Sequence, residues 1–332
     1  MPPNILFGAG GIGTGKFTYT WDTAEKVSSL LATLGSLGVT ELDSAASYPP
    51  ASEDTFNAET LLGLAGAAEK GFVIDSKVLH KGPTPFLSPD KIAASVDRTL
   101  EVLGTPKIRT LYAHAHDELV GIEDQARGFD EQWRIGKFER LGICNYSAKN
   151  MEEYFAVCEE KGYVKPAVYQ GCYNAITRGL EDKLIPLLRK HNCAFYAYSP
   201  LAGGFLTGKV TLAKDSPATS SHLLDRTRWA EGAHPGSAAF YDHPEMHSAV
   251  RSLRKVCEAQ SPALTVQEAS LRWIMYHSVL GDGDAIIVGA TRVDQLERNL
   301  EDARRGPLMD EVLAAVEGMW EIWGGVNAKW YE

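Results

Sequence analysis

Residues 4–22 read NILFGAGGIGTGKFTYTWD, and how this stretch is parsed decides the fold. A short apolar run (4–8) leads into GAGGIG (8–13), a literal G-x-G-x-x-G after a strand. In an open, doubly wound sheet such a motif binds a dinucleotide, and its third glycine opens a helix whose N-terminus meets the pyrophosphate. Here TGKFTYTW (14–21) follows, polar and inclined to extended structure, and helical periodicity begins only near Asp22. A flexible glycine turn at the mouth of a barrel fits the stretch better. Gly10 to Lys16 also nearly writes a phosphate loop, but Phe17 stands where Ser or Thr would hold magnesium, so that reading fails.

Outward from this point the chain alternates. Extended runs occur at 4–8, 39–45, 71–79, 108–114, 140–146, 166–173, 193–199 and 285–290. Between them lie helical patterns at 22–37, 54–70, 89–104, 118–136, 147–162, 178–191, 264–279 and 292–304. The first helix shows the signals well. Asp22 or Thr23 caps its start, apolar residues follow at three- and four-residue spacing, and Gly38 stops it. Parallel neighbours need crossover connections, so strict alternation predicts a parallel sheet. Eight units in 332 residues predict an α/β fold, a closed (β/α)8 TIM barrel, with residues 1–332 as one domain. After the seventh strand the spacing breaks. Residues 203–245, loop-rich, read as a lid on the ligand-binding face, and the tail (307–332) adds one amphipathic helix.

A formal net charge of −10 argues against nucleic acid or an anionic membrane as the main partner. Five cysteines, odd in number and without a C-x-x-C, suit free thiols in a reducing compartment. With neither a signal-peptide pattern nor an apolar run approaching the ~20 residues of a membrane span, the expected location is cytoplasmic.

The stretch LYAHAHDE (111–118) puts His114 and His116 on one face of a strand end, where a pair could hold a metal. A metal-dependent barrel hydrolase needs further ligands at other strand ends. His80, just beyond strand three, is the lone candidate, so no metal is expected. Proton transfer is the better reading. The strand ends in order supply Asp43 with Tyr48, Lys77 and His114, which can converge over the barrel mouth. Such a set suits proton donation to a carbonyl oxygen becoming an alkoxide. The Lys77 cation is expected to draw the Tyr48 phenol down from about 10 toward working pH, with Asp43 holding Lys77 in place.

At these residues the sequence resembles the aldo-keto reductases, and within them the branch of aflatoxin-aldehyde and succinic-semialdehyde reductases. ELDSAASY (41–48) looks like the family's Asp-(x)4-Tyr motif, IDSKV (74–78) its lysine strand and LYAHAHD (111–117) its histidine strand. GKFERLGICNYS, KPAVYQGCYNAITR, FYAYSPLAGGFLTGK and IIVGATRVDQLERNLE follow in family order, so the resemblance covers nearly the whole chain. It implies NADPH-dependent reduction of an aldehyde or ketone, with Tyr48 as general acid and Asp43, Lys77 and His114 as its partners. It also implies NADPH/NADP bound across the barrel mouth without the dinucleotide fold rejected above. By that resemblance Cys144, Asn145 and Gln170 hold the nicotinamide carboxamide and Tyr198 stacks on its ring. Ser199, Leu201, Gly203 and Lys209 line the pyrophosphate run. Gly289, Thr291, Arg292, Gln295 and Asn299 sit at the adenosine end, with Arg292 on the 2′-phosphate, where guanidinium matches phosphate geometry. Dimers occur in that branch, so the resemblance allows a homodimer.

The departures bear on the substrate. Cys144 stands where relatives have serine, which weakens one carboxamide hydrogen bond, and His116 stands where they usually have proline. The carboxylate-binding relatives end in arginine and carry an arginine-rich lid, whereas this chain ends in Glu332 and has only Arg226 and Arg228 nearby. An uncharged, aromatic or apolar carbonyl is the expected substrate, in a pocket drawing on Trp21, His116 and Trp229, with Tyr19, Trp320 and Trp330 as further aromatics. Two other readings stay open: a specialised secondary-metabolite carbonyl reductase or alcohol oxidase, and a cofactor-sensing regulatory subunit.

Overall fold

Thr23 caps the first helix through its hydroxyl, which accepts from Lys26 N at 3.4 Å, and the apolar spacing that follows buries Val27, Leu30, Leu31 and Leu34. The same logic recurs around the molecule. Ser147 caps its helix by accepting from Asn150 N at 3.1 Å, and Gly162, at φ 69°, ends it in the left-handed conformation that glycine adopts without strain. The computed structural model describes all residues except 15–19, 50–56, 81–83, 226, 228, 231–239 and 324–332.

Every extended run becomes a strand: β1 (Asn4–Gly8), β2 (Glu41–Asp43), β3 (Val73–Lys77), β4 (Ile108–Ala113), β5 (Phe138–Cys144), β6 (Pro166–Cys172), β7 (Ala194–Tyr198) and β8 (Ala285–Val288). Each pairs in parallel with the next, and β8 pairs back onto β1 (Asn4↔Ala285 to Phe7↔Val288), closing the barrel. The crossovers carry α1 (Ala24–Ser36), α2 (Ala58–Leu64), α3 (Pro89–Leu103), α4 (Ile122–Arg134), α5 (Ala148–Lys161) and α6 (Leu184–Lys190), and further on the helices Val266–Tyr276 and Val293–Arg304.

Side chains fill the barrel in tiers. At the N-terminal end Arg109 bridges Glu41 and Asp75, donating to the two Asp75 oxygens at 2.8 and 2.7 Å, while Asn4 donates to Glu41 at 2.9 Å. The middle is apolar: Leu6, Tyr112, Cys144, Val168, Tyr196, Ala285 and Ile287. Gly142 is required here, because a Cβ on it would lie 2.1 Å from the Tyr112 ring. At the C-terminal end the tier turns polar again, with Asp43, Lys77 and Gln170 all buried. The five cysteines are buried and form no disulfide with one another.

Some elements differ from expectation. Among the described residues of the 54–70 pattern only Ala58–Leu64 is α-helical, ended as Gly66 turns the chain at φ 67°. The 178–191 pattern shortens to Leu184–Lys190 because Pro186 lacks an amide hydrogen and fits only a first turn. The excursion after β7 is not all loop. It holds α7 (Lys209–Asp215), α8 (Pro217–Ser220) and a turn at Ser221–Leu224, and beyond it lies a helix the sequence reading omitted, Pro244–Glu258. That helix has Pro244 in its first turn and buries Met246, Ala249, Val250, Leu253 and Cys257 at helical spacing, a signal present in the sequence. The tail forms the expected helix, Asp310–Trp323, pinned where Glu317 accepts from Trp273 Nε1 at 2.7 Å. No described helix is long and apolar enough to cross a membrane.

Candidate active site

Three consecutive strands and one turn bring the sequence-predicted catalytic set together. Asp43 ends β2 and Lys77 ends β3. The Lys77 ammonium donates to both Asp43 oxygens, at 2.7 and 2.8 Å, and to the Ser44 carbonyl at 2.8 Å. Gln170 of β6 adds a donor to Asp43 at 2.7 Å. Tyr48 lies on the turn after β2, its ring centroid 4.9 Å from Lys77 Nζ. His114, just past β4, meets the Tyr48 ring edge-on at 5.5 Å, and its Nδ1 pairs with the Ser47 hydroxyl at 3.2 Å.

The electrostatics differ from the simple expectation. Burial pushes the Tyr48 phenol above its ordinary value; the Lys77 cation pulls it down, and Asp43 and Cys144 push it up. The expected net lowering is therefore overturned: in this enclosed setting desolvation wins, and Tyr48 keeps its proton at neutral pH. Burial also pushes the Asp43 carboxyl up, against the pull of Lys77 and Gln170. For Lys77 burial works downward, but Asp43, Tyr48 and Cys144 together hold the ammonium above the ordinary lysine value. Burial, then Lys77 and His80, push His114 down to about 3, so its imidazole is neutral. A neutral imidazole and a protonated phenol thus stand side by side at the mouth, each able to donate a hydrogen bond.

Along the mouth from this centre runs the expected cofactor set. Asn145 takes a positive φ of 58°, donates to the His114 carbonyl at 3.0 Å and accepts from Tyr198 OH at 2.8 Å. Cys144 lies beneath it, buried, its thiol pushed up by burial. After β7 the backbone turns through positive φ at Ser199, Ala202, Gly203, Gly204 and Gly208, a tight path that leads past Leu201 to Lys209 at the start of α7. Beyond β8, Thr291 donates to Gln295 Oε1 at 3.1 and 3.0 Å from its amide and hydroxyl, Asn299 donates to the Gly289 carbonyl at 3.4 Å, and Arg292 pairs with Asp294 at 2.8 Å. Lys209, Thr291, Arg292 and Gln295 line a cavity of about 270 Å³ with Thr20, His222, Leu223, Asp225 and Thr227. Lys209 is pushed down by burial and by the neighbouring Arg292 and Arg298 charges, the environment an anion relieves.

The expected substrate-pocket residues scatter. Trp21, instead of lining an open pocket, is 3% exposed and packs edge-on to Phe7 in the core. Trp229 docks the excursion onto the cofactor run, donating to the Gly203 carbonyl at 3.0 Å and packing on Phe205. His116 is half-buried against Tyr146, ring centroids 5.0 Å apart. Trp320 packs on the core, while Tyr19, Arg226, Arg228, Trp330 and Glu332 lie outside the described residues. Sequence reading missed Ser47, His222 and Asp225, whose only signal was polarity next to a motif or inside the excursion. Among the described residues no three His, Cys, Asp or Glu side chains gather into a metal-holding group.

The mouth of this parallel barrel thus carries a phenol, a buried amine–carboxylate pair and a neutral imidazole, groups equipped for proton transfer, beside a cleft lined by Lys209 and Arg292. The comparisons agree. The profile of the Aldo/keto reductase family matches residues 4–321. The chain is 33% identical over 291 residues to human aflatoxin B1 aldehyde reductase member 4, covering 86% of each chain. It is 32% identical to human aflatoxin B1 aldehyde reductase member 2, over 97% of this chain and 88% of that one. To the aldo-keto reductase pigE of Monascus ruber it is also 32% identical, over 94% and 92%. The chain belongs to the aldo/keto reductase family, and so to the NAD(P)-dependent oxidoreductases that act on carbonyls.

Proposed function

We propose that the protein reduces an uncharged, aromatic or apolar aldehyde or ketone to the alcohol with NADPH, Tyr48 donating the proton. The observation that carries this is the convergence of protonated Tyr48 and neutral His114 beside the Lys77–Asp43 pair. NADPH, when bound, supplies the hydride. Asn145, Gln170 and Tyr198 lie where they would hold the nicotinamide end. In the cavity they line, Lys209 would hold the pyrophosphate and Arg292 the 2′-phosphate, and the second pairing supports NADPH over NADH.

The chain's own residues divide the remaining work. His114 orients the carbonyl oxygen through an imidazole N–H. Tyr48 donates its hydroxyl proton to that oxygen as it gains charge. Lys77, fixed by Asp43, stabilises the tyrosinate left behind. The excursion, anchored by Trp229 and lined by His222 and Asp225, closes over the adenosine end in this reading. We further infer one barrel domain over residues 1–332 and a cytoplasmic setting, in keeping with five cysteines that form no disulfide. A homodimer rests on the resemblance alone.

The test is NADPH consumption with 4-nitrobenzaldehyde, alongside direct titration of NADPH and NADH by fluorescence. Tyr48→Phe should lose about a hundredfold or more in turnover while binding NADPH as before. Arg292→Ala should weaken NADPH at least tenfold and leave NADH unchanged. Wild-type protein that binds no NADPH sinks the proposal. A higher kcat/KM for succinic semialdehyde than for uncharged aromatic aldehydes would overturn the substrate reading.

A further inference from the structure

The loop between β3 and α3 brings a second imidazole to the reaction centre. His80 is exposed, its ring 4.5 Å from Phe86 and 6.1 Å from His114. What holds Phe86 is a buried carboxylate. Asp117, three residues beyond His114 and 2% exposed, accepts from Phe86 N at 2.7 Å and Leu87 N at 2.9 Å through one oxygen, and from Leu119 N at 3.0 Å through the other. Its own carbonyl accepts from Gln125 at 3.0 Å, and Gln125 in turn accepts from Tyr146, whose ring carries His116. One buried side chain thus ties the β3 loop to the strand end that presents His114.

We propose that His80 and Phe86, positioned by Asp117, form the wall that selects the substrate, with His80 hydrogen-bonding a polar substituent on an aromatic aldehyde. The proposal rests on the carbonyl-reductase reading and deepens it. Phe86 offers the ring an apolar face. His80 stands beside the imidazole that faces the carbonyl, so a group on the far part of the same small ring comes within its reach. Asp117 touches no substrate; it is a positioning residue, acting through the two loop amides it holds. A buried carboxylate that accepts from two amides of that loop, and from Leu119 on its own segment, fixes the loop more firmly than apolar packing, because releasing it leaves a buried carboxylate without partners.

The experiment compares kcat/KM for 2-, 3- and 4-hydroxybenzaldehyde with the matching methylbenzaldehydes, in wild type, His80→Leu and Asp117→Asn. Taking the ratio within each enzyme and comparing it between enzymes cancels the intrinsic reactivity of the aldehydes. For at least one ring position His80→Leu should lower the hydroxyl-to-methyl ratio about fivefold, the worth of one net hydrogen bond. Asp117→Asn, which keeps an acceptor but loses the charge, should raise aldehyde KM about threefold to fivefold, with kcat and NADPH affinity within about twofold of wild type. Ratios unchanged at all three positions in His80→Leu overturn the wall. An Asp117→Asn protein that melts earlier yet keeps its KM overturns the positioning role. A wild type without turnover on any aldehyde removes the reductase reading itself, an outcome separate from either.

Discussion

His114 is neutral because burial and two neighbouring basic groups disfavour its charged form, and this has a consequence for stability. Its pKa falls from 6.5 to about 3 on folding, so on acidification the unfolded chain takes up the proton first. Stability from this residue is complete above pH 6.5 and is lost as pH falls through the window down to about 3. Melting temperature followed across that window should fall more steeply for wild type than for His114→Gln; parallel curves would contradict the assignment. Lys77→Met is predicted to cost about 3–5 kcal/mol in urea unfolding, because it strands Asp43 as a buried charge. At this scale much of the site was legible. Asp43, Tyr48, Lys77 and His114 each sit at a strand end, and strand ends can be read from alternation. What could not be read was direction and dielectric. The Ser47–His114 contact spans 67 positions in sequence. The net rise of the Tyr48 pKa depends on how completely the fold encloses it, which composition does not reveal.

The strands were the most legible elements, since runs of β-branched and aromatic residues between helical patterns leave few alternatives. The excursion after β7 was read least well. The helices α7 and α8 are short, and Ser, Thr, Gly and Pro hide their periodicity, so they merged into an apparent loop; the Pro244–Glu258 helix, whose apolar spacing is plain, was passed over just beyond it. Trp229 ties the later part of that excursion back to its start, where Gly203 and Phe205 follow β7. Trp229→Phe keeps the ring contact with Phe205 and removes the bond to the Gly203 carbonyl. Dinucleotide affinity should fall about fivefold, with little change in melting temperature; an unchanged Kd would separate the excursion from cofactor binding. Within the barrel, Gly142→Ala places a methyl into the Tyr112 ring. Overpacking of this kind should cost about 1–3 kcal/mol, read from the urea midpoint.

For the molecule as a whole, closure of the sheet and the tail helix complete the burial. Val312, Val316 and Met319 of the Asp310–Trp323 helix are all buried, and Glu317 joins it to Trp273 and Arg178. A chain ending at Pro307 exposes the apolar surface these residues cover, and it should aggregate at concentrations where the full chain stays in solution, as judged by light scattering. The five buried cysteines come from five different parts of the chain: β5, α5, β6, the approach to β7 and the Pro244–Glu258 helix. None offers its sulfur to a reagent in the native state, so a chromogenic thiol probe would read a latent clock. Colour would develop only as fast as each sector of the barrel opens. Five equal rates would mean that the ring gives way all at once, whereas a single early thiol would name the seam where it first parts.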